Sequence, residues 1–208
     1  MNRPNLLILS GFAGVGKDTV LRILLEKDPR FAPSISYSTR TPRNGEENGV
    51  HYYFVSREEF QDKLSAGELL EHTEFCGNFY GTPKSEIERN AALGKVTVLE
   101  IETDGAGQVM NLTDNYISVF LASPDFITLE NRLRGRKSET EESIRLRLAK
   151  ARKELLLLPK YQHVLVNLNQ RSEDVATTIS ELFFGESLSH PELRVNDTES
   201  FIQKLLND

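Results

Sequence analysis

The sequence predicts an α/β protein whose parallel sheet is flanked by helices, and three observations support this prediction. A short apolar run, Leu6–Ser10, precedes a glycine-rich loop and a helical pattern over Thr19–Lys27. Later apolar runs alternate with helical patterns, which favours parallel strands covered on both faces. A polar, turn-rich section over about residues 32–88 interrupts this alternation and indicates an inserted subdomain of mixed α+β structure.

The elements that follow the first helix are predicted from capping signals and periodicity. Within the inserted section, Ser56–Leu69 predicts a helix, with Ser56 as its N-cap and Glu59 at the capping-box position. The β-branched, apolar runs Lys95–Ile101 and Tyr116–Ala122 predict core strands. The segment between them, residues 104–112, predicts a short helix.

The carboxyl-terminal part of the chain predicts more helices and one more strand. One helix begins near Asp125, and a long amphipathic helix ends before Pro159. His163–Asn167 predicts a last buried strand, and Ser172 opens a last long helix. After residue 185 the chain is polar, and we expect a short helix or fraying over residues 201–206.

Composition limits the class of protein. A chain of 208 residues is long enough for a single α/β domain with a buried core. A net charge of −6 provides no bulk basic surface, so we expect no nucleic-acid partner. The single Cys76 can form neither an intramolecular disulfide nor a zinc cluster, which suits a reducing compartment. No apolar run approaches membrane-spanning length, so we expect a cytoplasmic protein without membrane contact. A homodimer stays open.

The stretch GFAGVGKDTV, Gly11–Val20, has the G-x-x-x-x-G-K spacing of a phosphate-binding loop. Its amide groups and the following helix N-terminus suit phosphate, and Lys17 would reach the β- and γ-phosphates. The hydroxyl residue usual after the lysine is replaced by Asp18, and Thr19 comes next. We expect Thr19 to face the phosphates, and Asp18 to point away or to meet Mg²⁺ through water. A glycine-rich turn with a chance lysine is the alternative.

Arg40 and Arg43 lie beside several hydroxyl residues in the inserted section. Two guanidinium groups in one short segment suit a dianionic phosphate, because arginine binds phosphate with two parallel hydrogen bonds. A solvated basic turn is the alternative interpretation.

Glu71 follows the helix predicted in the inserted section. Its carboxylate could accept two N–H bonds from the N1 and N2 positions of guanine, whereas adenine offers no such pair of donors on that edge. An ordinary surface charge is the alternative.

Glu100 and Glu102 lie at the carboxyl end of the predicted strand Lys95–Ile101, and their spacing places them on one face. Open parallel sheets bind ligands at this end of their strands. A carboxylate there can hold Mg²⁺ directly or through water, and exposed strand-end acids are the alternative.

Several arginines flank the polar segment 135–143, between two predicted helices. A mobile lid that brings arginine onto transferring phosphates would have this composition, and a solvated helix pair is the alternative. The arginines are Arg132, Arg134, Arg136, Arg145 and Arg147.

Together these motifs resemble the guanylate kinase family over about residues 5–184. The stretches that carry the resemblance are SGFAGVGKDT, SISYSTRTPRNGEENGVHYYFVSREEF, GELLEHTEFCGNFYGTP, VLEIETDGA, RLRGRKSETEESIRLRL and VLVN. The resemblance implies a single guanylate-kinase-like domain on a P-loop NTPase-type parallel sheet. Its parts would be a core over about residues 1–33, 93–124 and 160–184, a GMP-binding subdomain over 34–92, a helical lid region over 125–159 and a C-terminal extension over 185–208.

The resemblance also implies the reaction ATP + GMP ⇌ ADP + GDP, with Mg²⁺ and with dGMP as a further acceptor. The residues implied for ATP binding are Gly11, Phe12, Ala13, Gly14, Val15, Gly16, Lys17, Asp18, Thr19 and Asn167. Those implied for the acceptor are Ser36, Arg40, Arg43, Tyr52, Glu71, Tyr80, Thr82, Glu100 and Glu102. Charge on the transferring phosphoryl group would be stabilised by Lys17, Arg43, Arg136 and Arg147. Glu100 would lie near GMP and the metal, which it would hold directly or through water.

Two other functions stay open at this point. A related kinase with a phosphorylated-sugar acceptor gains some support from Asp18 in place of a hydroxyl residue. Ser36 and Glu71 argue against it, because a sugar acceptor needs no purine reader. A non-catalytic guanylate-kinase-like binding module is the other alternative, and the retained Lys17 argues against that.

Overall fold

The computed structural model describes residues 4–75, 77–135 and 140–207. The strands are β1 (Leu6–Gly11), β2 (Phe31–Pro33), β3 (Tyr37–Ser38), β4 (Tyr53–Phe54), β5 (Leu69–Phe75), β6 (Asn78–Pro83), β7 (Val96–Glu100), β8 (Ile117–Ala122) and β9 (His163–Val166). The α-helices are α1 (Lys17–Lys27), α2 (Arg57–Ser65), α3 (Lys84–Ala92), α4 (Thr103–Leu112), α5 (Phe126–Arg134), α6 (Glu141–Glu154), α7 (Ser172–Phe184) and α8 (Thr198–Asn207). Short 3-10 helices cover Leu155–Lys160 and Pro191–Leu193.

The central sheet has the strand order β2-β7-β1-β8-β9. β2 runs parallel to β7, with Phe31 opposite Val96, and β8 runs parallel to β9, with Val119 opposite His163. A second sheet has the order β4-β3-β6-β5 and contains both parallel and antiparallel pairs. The predicted α/β class, with a parallel central sheet and a mixed inserted section, is confirmed.

The chain divides into two compact units, and the boundary falls inside β1. The first unit comprises Met1–Ile8 and Pro29–Tyr116, which include the second sheet and helices α2, α3 and α4. The second unit comprises Leu9–Asp28 and Ile117–Asp208, which include α1, α5, α6, α7 and α8.

In the first unit, helix α2 begins with the predicted capping box. Ser56 Oγ accepts the backbone N–H of Glu59, and the Glu59 carboxylate accepts that of Ser56. The helix ends at Ser65, four residues before the predicted end, because Leu69 already enters β5. Phe60 of this helix stacks on Phe79 of β6, with ring centroids 5.5 Å apart. Helix α2 therefore contacts the second sheet through an apolar ring pair.

Helix α3 begins at the end of the turn-rich section, where the sequence analysis predicted no helix. Its buried residues are Glu86 and Asn90, which are polar. Glu86 accepts the backbone N–H of Ile35 at 2.8 Å, and Asn90 donates to Pro33 O at 3.2 Å. Hydrogen bonds from buried polar side chains, and not an apolar face, therefore join this helix to its neighbours.

In the second unit, α1 packs against α7, and the mostly aliphatic core also contains aromatic rings that contact one another. Phe12 meets Phe120 edge to face at 5.0 Å, and Phe120 meets Tyr161 in the same way at 5.1 Å. Helix α6 ends at Glu154, before Pro159 as predicted, and Pro159 lies inside the 3-10 helix that follows. Proline has no backbone N–H, and its ring crowds the preceding turn of an α-helix. These effects favour the tighter 3-10 helix around Pro159.

The segment after residue 185 is ordered and joins the second unit. Val195 N donates to Val164 O at 2.9 Å, and Arg194 bridges Leu165 in antiparallel fashion. This pairing covers the free edge of β9, an edge that would otherwise expose unpaired backbone groups. The helix predicted over residues 201–206 is present within α8.

Over the described residues 4–75, 77–135 and 140–207, no helix is both long enough and apolar enough to cross a membrane.

Candidate functional site

The glycine-rich loop leads from β1 into α1 within the second unit. Gly16 caps α1 with φ +99°, a left-handed conformation that disfavours other residues. At Gly11, a Cβ atom would lie closer than 3.0 Å to Leu121 O, so the loop passes directly over the backbone of β8. Lys17 Nζ donates to Gly11 O at 2.9 Å and therefore lies over the loop. Loop amides, helix N-terminus and lysine together can bind phosphate groups.

Two side chains, those of Arg132 and Asn167, donate hydrogen bonds to the Val15 carbonyl of this loop. Arg132 donates to Val15 O at 3.2 Å and to Asn167 O at 2.7 Å, and it also reaches Asn169 Oδ1 at 2.9 Å. Asn167 Nδ2 donates to the same Val15 O at 2.8 Å, and Asn167 is 3% exposed. Burial lowers the pKa of Arg132 from its ordinary value. Arg132 was one of five lid arginines in the sequence, and no local signal set it apart from the others.

The other residues predicted for ATP lie on the same unit, as does Arg147, whereas Arg43 belongs to the first unit. Phe12 and Val15 are buried, Ala13 and Gly14 are half-buried, and both Asp18 and Thr19 are exposed in the first turn of α1. Arg147 lies on α6, where its Nε donates to Ser143 Oγ at 3.5 Å. Arg136 lies outside the described residues. The structure thus gathers the loop, Lys17 and Asn167, while the position of Asn167 near adenine stays a prediction.

In the first unit, Arg40 is the centre of a cluster on the second sheet. Its two terminal nitrogens meet Glu46 Oε2 and Oε1, each at 2.6 Å. Its guanidinium carbon lies 5.0 Å from the centre of the Tyr52 ring, and the Tyr52 and Tyr80 rings lie 6.0 Å apart. Glu46 Oε2 also accepts the backbone N–H of Arg43 at 2.7 Å. Four of the residues predicted to bind the acceptor phosphate therefore share one cluster.

The charges in this cluster shift the pKa values of its members. The hydrogen bond from Arg40, with that from the Arg43 backbone, lowers the pKa of Glu46 to about 2. Burial raises the pKa of Tyr52, and the positive charge of Arg40 opposes that change. Glu46 therefore stays ionised and Tyr52 stays a hydroxyl donor at neutral pH. Glu46 was not among the predicted site residues, although its place three residues after Arg43 in a turn was a usable signal.

Glu71 lies on β5 of the same unit and is buried, with 4% of its surface exposed. It pairs with Thr82 across β5 and β6, and Thr82 Oγ1 donates to Glu71 Oε1 at 2.7 Å. Ser36 Oγ lies 3.2 Å from the same Thr82 hydroxyl. Burial raises the pKa of Glu71, and the hydrogen bond from Thr82 opposes this. The structure thus brings together Ser36, Glu71 and Thr82, three of the residues that the resemblance implies for the acceptor.

The two acidic residues at and just after the end of β7, Glu100 and Glu102, differ in their exposure. Glu100 ends β7 and is half-buried, and its negative charge contributes to the raised pKa of Tyr52. Glu102 is exposed and is the N-cap residue of α4. In the part of the chain that the structure describes, no group of three or more His, Cys, Asp or Glu side chains could hold a metal ion.

Comparison with known proteins gives a consistent result. The family model described as guanylate kinase matches residues 3–184. A guanylate kinase of Mycoplasma capricolum subsp. capricolum is 47% identical over 170 residues, which are 81% of this chain and 57% of that protein. One of Nostoc sp. is 44% identical over 162 residues, which are 78% of this chain and 81% of that protein.

A solved structure is also similar. The guanylate kinase of Anaplasma phagocytophilum superposes with a TM-score of 0.69 at 31% identity, covering 100% of this chain and 98% of that one. The match to the Mycoplasma relative spans little more than half of that protein's length. The family model covers most of this chain, and the Nostoc relative is matched over most of its own length. These matches agree with the phosphate-binding loop and the buried Glu71 carboxylate, and they show that the chain belongs to the guanylate kinase family.

Proposed function

We propose that this protein transfers the γ-phosphoryl group of ATP to GMP, giving ADP and GDP. The observation that carries the proposal is Glu71, a carboxylate with 4% exposure that accepts hydrogen bonds from the neutral hydroxyl and the backbone of Thr82. Burying a carboxylate is unfavourable unless strong donors satisfy it. The N1 and N2 groups of guanine would supply two such donors, and family membership points to the same base.

The acceptor phosphate would bind beside this base reader. Arg40, with the Tyr52 and Tyr80 hydroxyls, offers donors on the same sheet, and Arg43 follows in the adjoining turn. Arginine suits a phosphate because its planar group donates two parallel hydrogen bonds. We assign this subdomain, about residues 34–92, to the acceptor.

The ATP phosphates would bind at the glycine-rich loop. Its amide groups and the N-terminus of α1 favour negative charge, and Lys17 already lies over the loop. Mg²⁺ fits this family because it is usually held by substrate phosphates, water and one or two carboxylates rather than by a protein cage. When bound, it would neutralise charge on the β- and γ-phosphates, and Glu100 is the residue we assign to it, through water.

The chemistry requires no covalent intermediate on the protein. Phosphoryl transfer depends mainly on positioning and on stabilising negative charge. Lys17, Arg43, Arg136 and Arg147 are the cations we assign to that task, the last two from the proposed lid over about residues 125–159. Exclusion of water by lid closure would protect ATP from hydrolysis.

A coupled assay of ADP release over several acceptors tests the proposal. GMP and dGMP should be phosphorylated, while AMP, UMP and ribose bisphosphate should not. Turnover with ribose bisphosphate but not with GMP would instead identify a sugar kinase. ATP binding without turnover of any acceptor would identify a binding module.

The variant Glu71→Gln tests the base reader directly. An amide can accept from one guanine N–H but not from both, so the KM for GMP should rise far more than the KM for ATP. Glu74→Gln is the matched control, because Glu74 lies on the same strand and is exposed. Equal losses for GMP and ATP would contradict the role given to Glu71.

Family membership does not bear on four further expectations. The cytoplasmic location, a place in purine nucleotide metabolism, a homodimer and the lack of a nucleic-acid partner remain predictions. Fractionation and light scattering would test the location and the dimer.

A further inference from the structure

The space available to the Glu71 carboxylate is bounded by helix α4. A Cβ atom added at Gly105 would lie 2.5 Å from Glu71 Oε2 and 3.1 Å from Glu71 Cδ. Ordinary contacts of a Cβ atom begin at 3.4 Å, so the carboxylate occupies the volume that any side chain at position 105 would need. Both residues belong to the first compact unit.

The backbone itself does not require glycine at this position. Gly105 lies inside α4 and its φ is not positive. Alanine is the better helix former at such a place. Gly107 lies two residues further along the same helix and differs in its surroundings. A Cβ added there meets no atom of the described chain within 4 Å. What distinguishes Gly105 is therefore its neighbour and not its own conformation.

The carboxylate has little freedom to move away from α4. On its other side, Thr82 Oγ1 holds Oε1 at 2.7 Å, and the residue is almost fully buried. The strand is also tied to the helix, because Gln108 accepts the backbone N–H of His72 at 3.1 Å and donates to its carbonyl at 2.8 Å. Gln108 lies one helical turn after Gly105, and His72 directly follows Glu71. Strand, helix and hydroxyl thus fix the carboxylate from three sides.

We infer that Gly105 is a positioning residue for Glu71, and that it sets the preference for a purine with a 2-amino group. This inference rests on the proposed function. A methyl group at position 105 would displace Oε2 by about 0.9 Å, the difference between 2.5 Å and the 3.4 Å of an ordinary contact. A base that donates two N–H bonds to both carboxylate oxygens depends on their exact placement. Inosine monophosphate lacks the 2-amino donor and should depend on it less.

The experiment compares wild type, Gly105→Ala and Gly107→Ala with GMP, inosine monophosphate and ATP. Displacements near 1 Å can cost about a hundredfold in catalysis, so we expect Gly105→Ala to raise the KM for GMP at least tenfold. The KM for ATP should change less than twofold, and the ratio of kcat/KM for GMP over inosine monophosphate should fall. Gly107→Ala should match wild type in all three. Wild-type KM and selectivity in Gly105→Ala would overturn the inference.

A double-mutant cycle with Glu71→Ala separates this role from a purely structural one. Once the carboxylate is removed, adding Gly105→Ala should not weaken GMP binding further and should not lower the unfolding temperature, since alanine is the better helix former. If Gly105→Ala alone does not fold, the double variant should still fold. Failure of both to fold would overturn the inference, because the glycine would then serve the helix.

The two proposals fail in different ways. A wild-type protein that neither binds nor phosphorylates GMP overturns the proposed function and this inference with it. A wild type active on GMP, with Gly105→Ala equally active and selective, overturns the inference alone.

Discussion

Arg40 and Glu46 form a two-pronged ion pair, with both nitrogen–oxygen distances at 2.6 Å. The pair is mostly shielded, since the two side chains are 12% and 17% exposed. The same carboxylate accepts the backbone N–H of Arg43 at 2.7 Å. Glu46 therefore orients one arginine directly and fixes the backbone of the other. We interpret it as a residue that positions the acceptor-phosphate cluster.

Replacing Glu46 with Gln should weaken this orientation. Only one oxygen remains to accept from Arg40, so the guanidinium can turn away from the phosphate. We expect the KM for GMP to rise on the order of tenfold, with the KM for ATP unchanged. Steady-state kinetics with each substrate varied in turn would measure both. Glu47→Gln, at the exposed neighbouring position, is the control, and a lower KM for GMP in Glu46→Gln would show that the carboxylate competes with phosphate instead.

Replacing Thr82 with Val should change the pH dependence of GMP use. The Thr82 hydroxyl stabilises the ionised form of Glu71 and so opposes the rise in its pKa caused by burial. Without that bond the pKa of Glu71 rises further, and a protonated carboxyl accepts guanine N–H bonds poorly. The acid limb of the kcat/KM profile for GMP should therefore move to higher pH. A profile measured from pH 5 to 9 would check this, and an unmoved acid limb would contradict it.

Thr97→Val is the matched control for that variant. Thr97 lies in β7 of the same unit, and its buried hydroxyl has no hydrogen-bond partner in the described part of the chain. Removing an unsatisfied buried hydroxyl should raise the free energy of unfolding by about 1 kcal/mol. The pH profile for GMP should match that of wild type.

The buried Glu71 carboxylate should lower the free energy of unfolding of the unliganded protein at neutral pH. Its pKa is raised in the folded state above the ordinary value of 4.5, so the folded state binds the proton more tightly than the unfolded state. Stability from this group is present below pH 4.5 and is lost as pH rises through the raised pKa. Glu71→Gln should therefore unfold at higher temperature than wild type at pH 7.5, with a difference that shrinks toward pH 4.5. Thermal unfolding at several pH values would test this, and a constant difference would contradict it.

Local patterns in the sequence were sufficient for much of the fold. The strand, loop and first helix lie within 22 residues, from Leu6 to Lys27, and the capping box of α2 spans four positions. Helix α3 was missed because its buried residues, Glu86 and Asn90, are polar and give no apolar period. Hydrophobic periodicity reports only those helices that bury apolar side chains.

Contacts between distant segments could not be read from the sequence. Arg132 and Val15 are separated by 117 positions, and Thr82 and Glu71 meet only because β5 and β6 pair in one particular register. The same is true of Gly105, whose importance depends on a carboxylate from another element. Chemistry-bearing residue types could be identified in advance, whereas the residues that orient them became visible only in three dimensions.

Asp18 should be dispensable for phosphoryl transfer. It is exposed in the first turn of α1, where an acidic side chain interacts favourably with the helix N-terminus. Asp18→Ser should therefore keep kcat with GMP within about threefold of wild type, and lower the free energy of unfolding by about 0.5 kcal/mol. Thr19→Val, by contrast, should raise the KM for ATP. Loss of activity beyond a hundredfold in Asp18→Ser would assign this carboxylate a direct role.

Replacing Arg132 with Lys should loosen the phosphate-binding loop without affecting the acceptor. The guanidinium joins Val15 O at 3.2 Å to Asn167 O at 2.7 Å, and a single ammonium group cannot reproduce that planar, two-sided contact. We expect the KM for ATP to rise about tenfold, equivalent to about 1.4 kcal/mol, while the KM for GMP changes less than twofold. Arg134→Lys is the control, because Arg134 lies on the same helix and pairs with exposed acids. An unchanged KM for ATP in Arg132→Lys would mean that Asn167, through its 2.8 Å bond to Val15 O, holds the loop unaided.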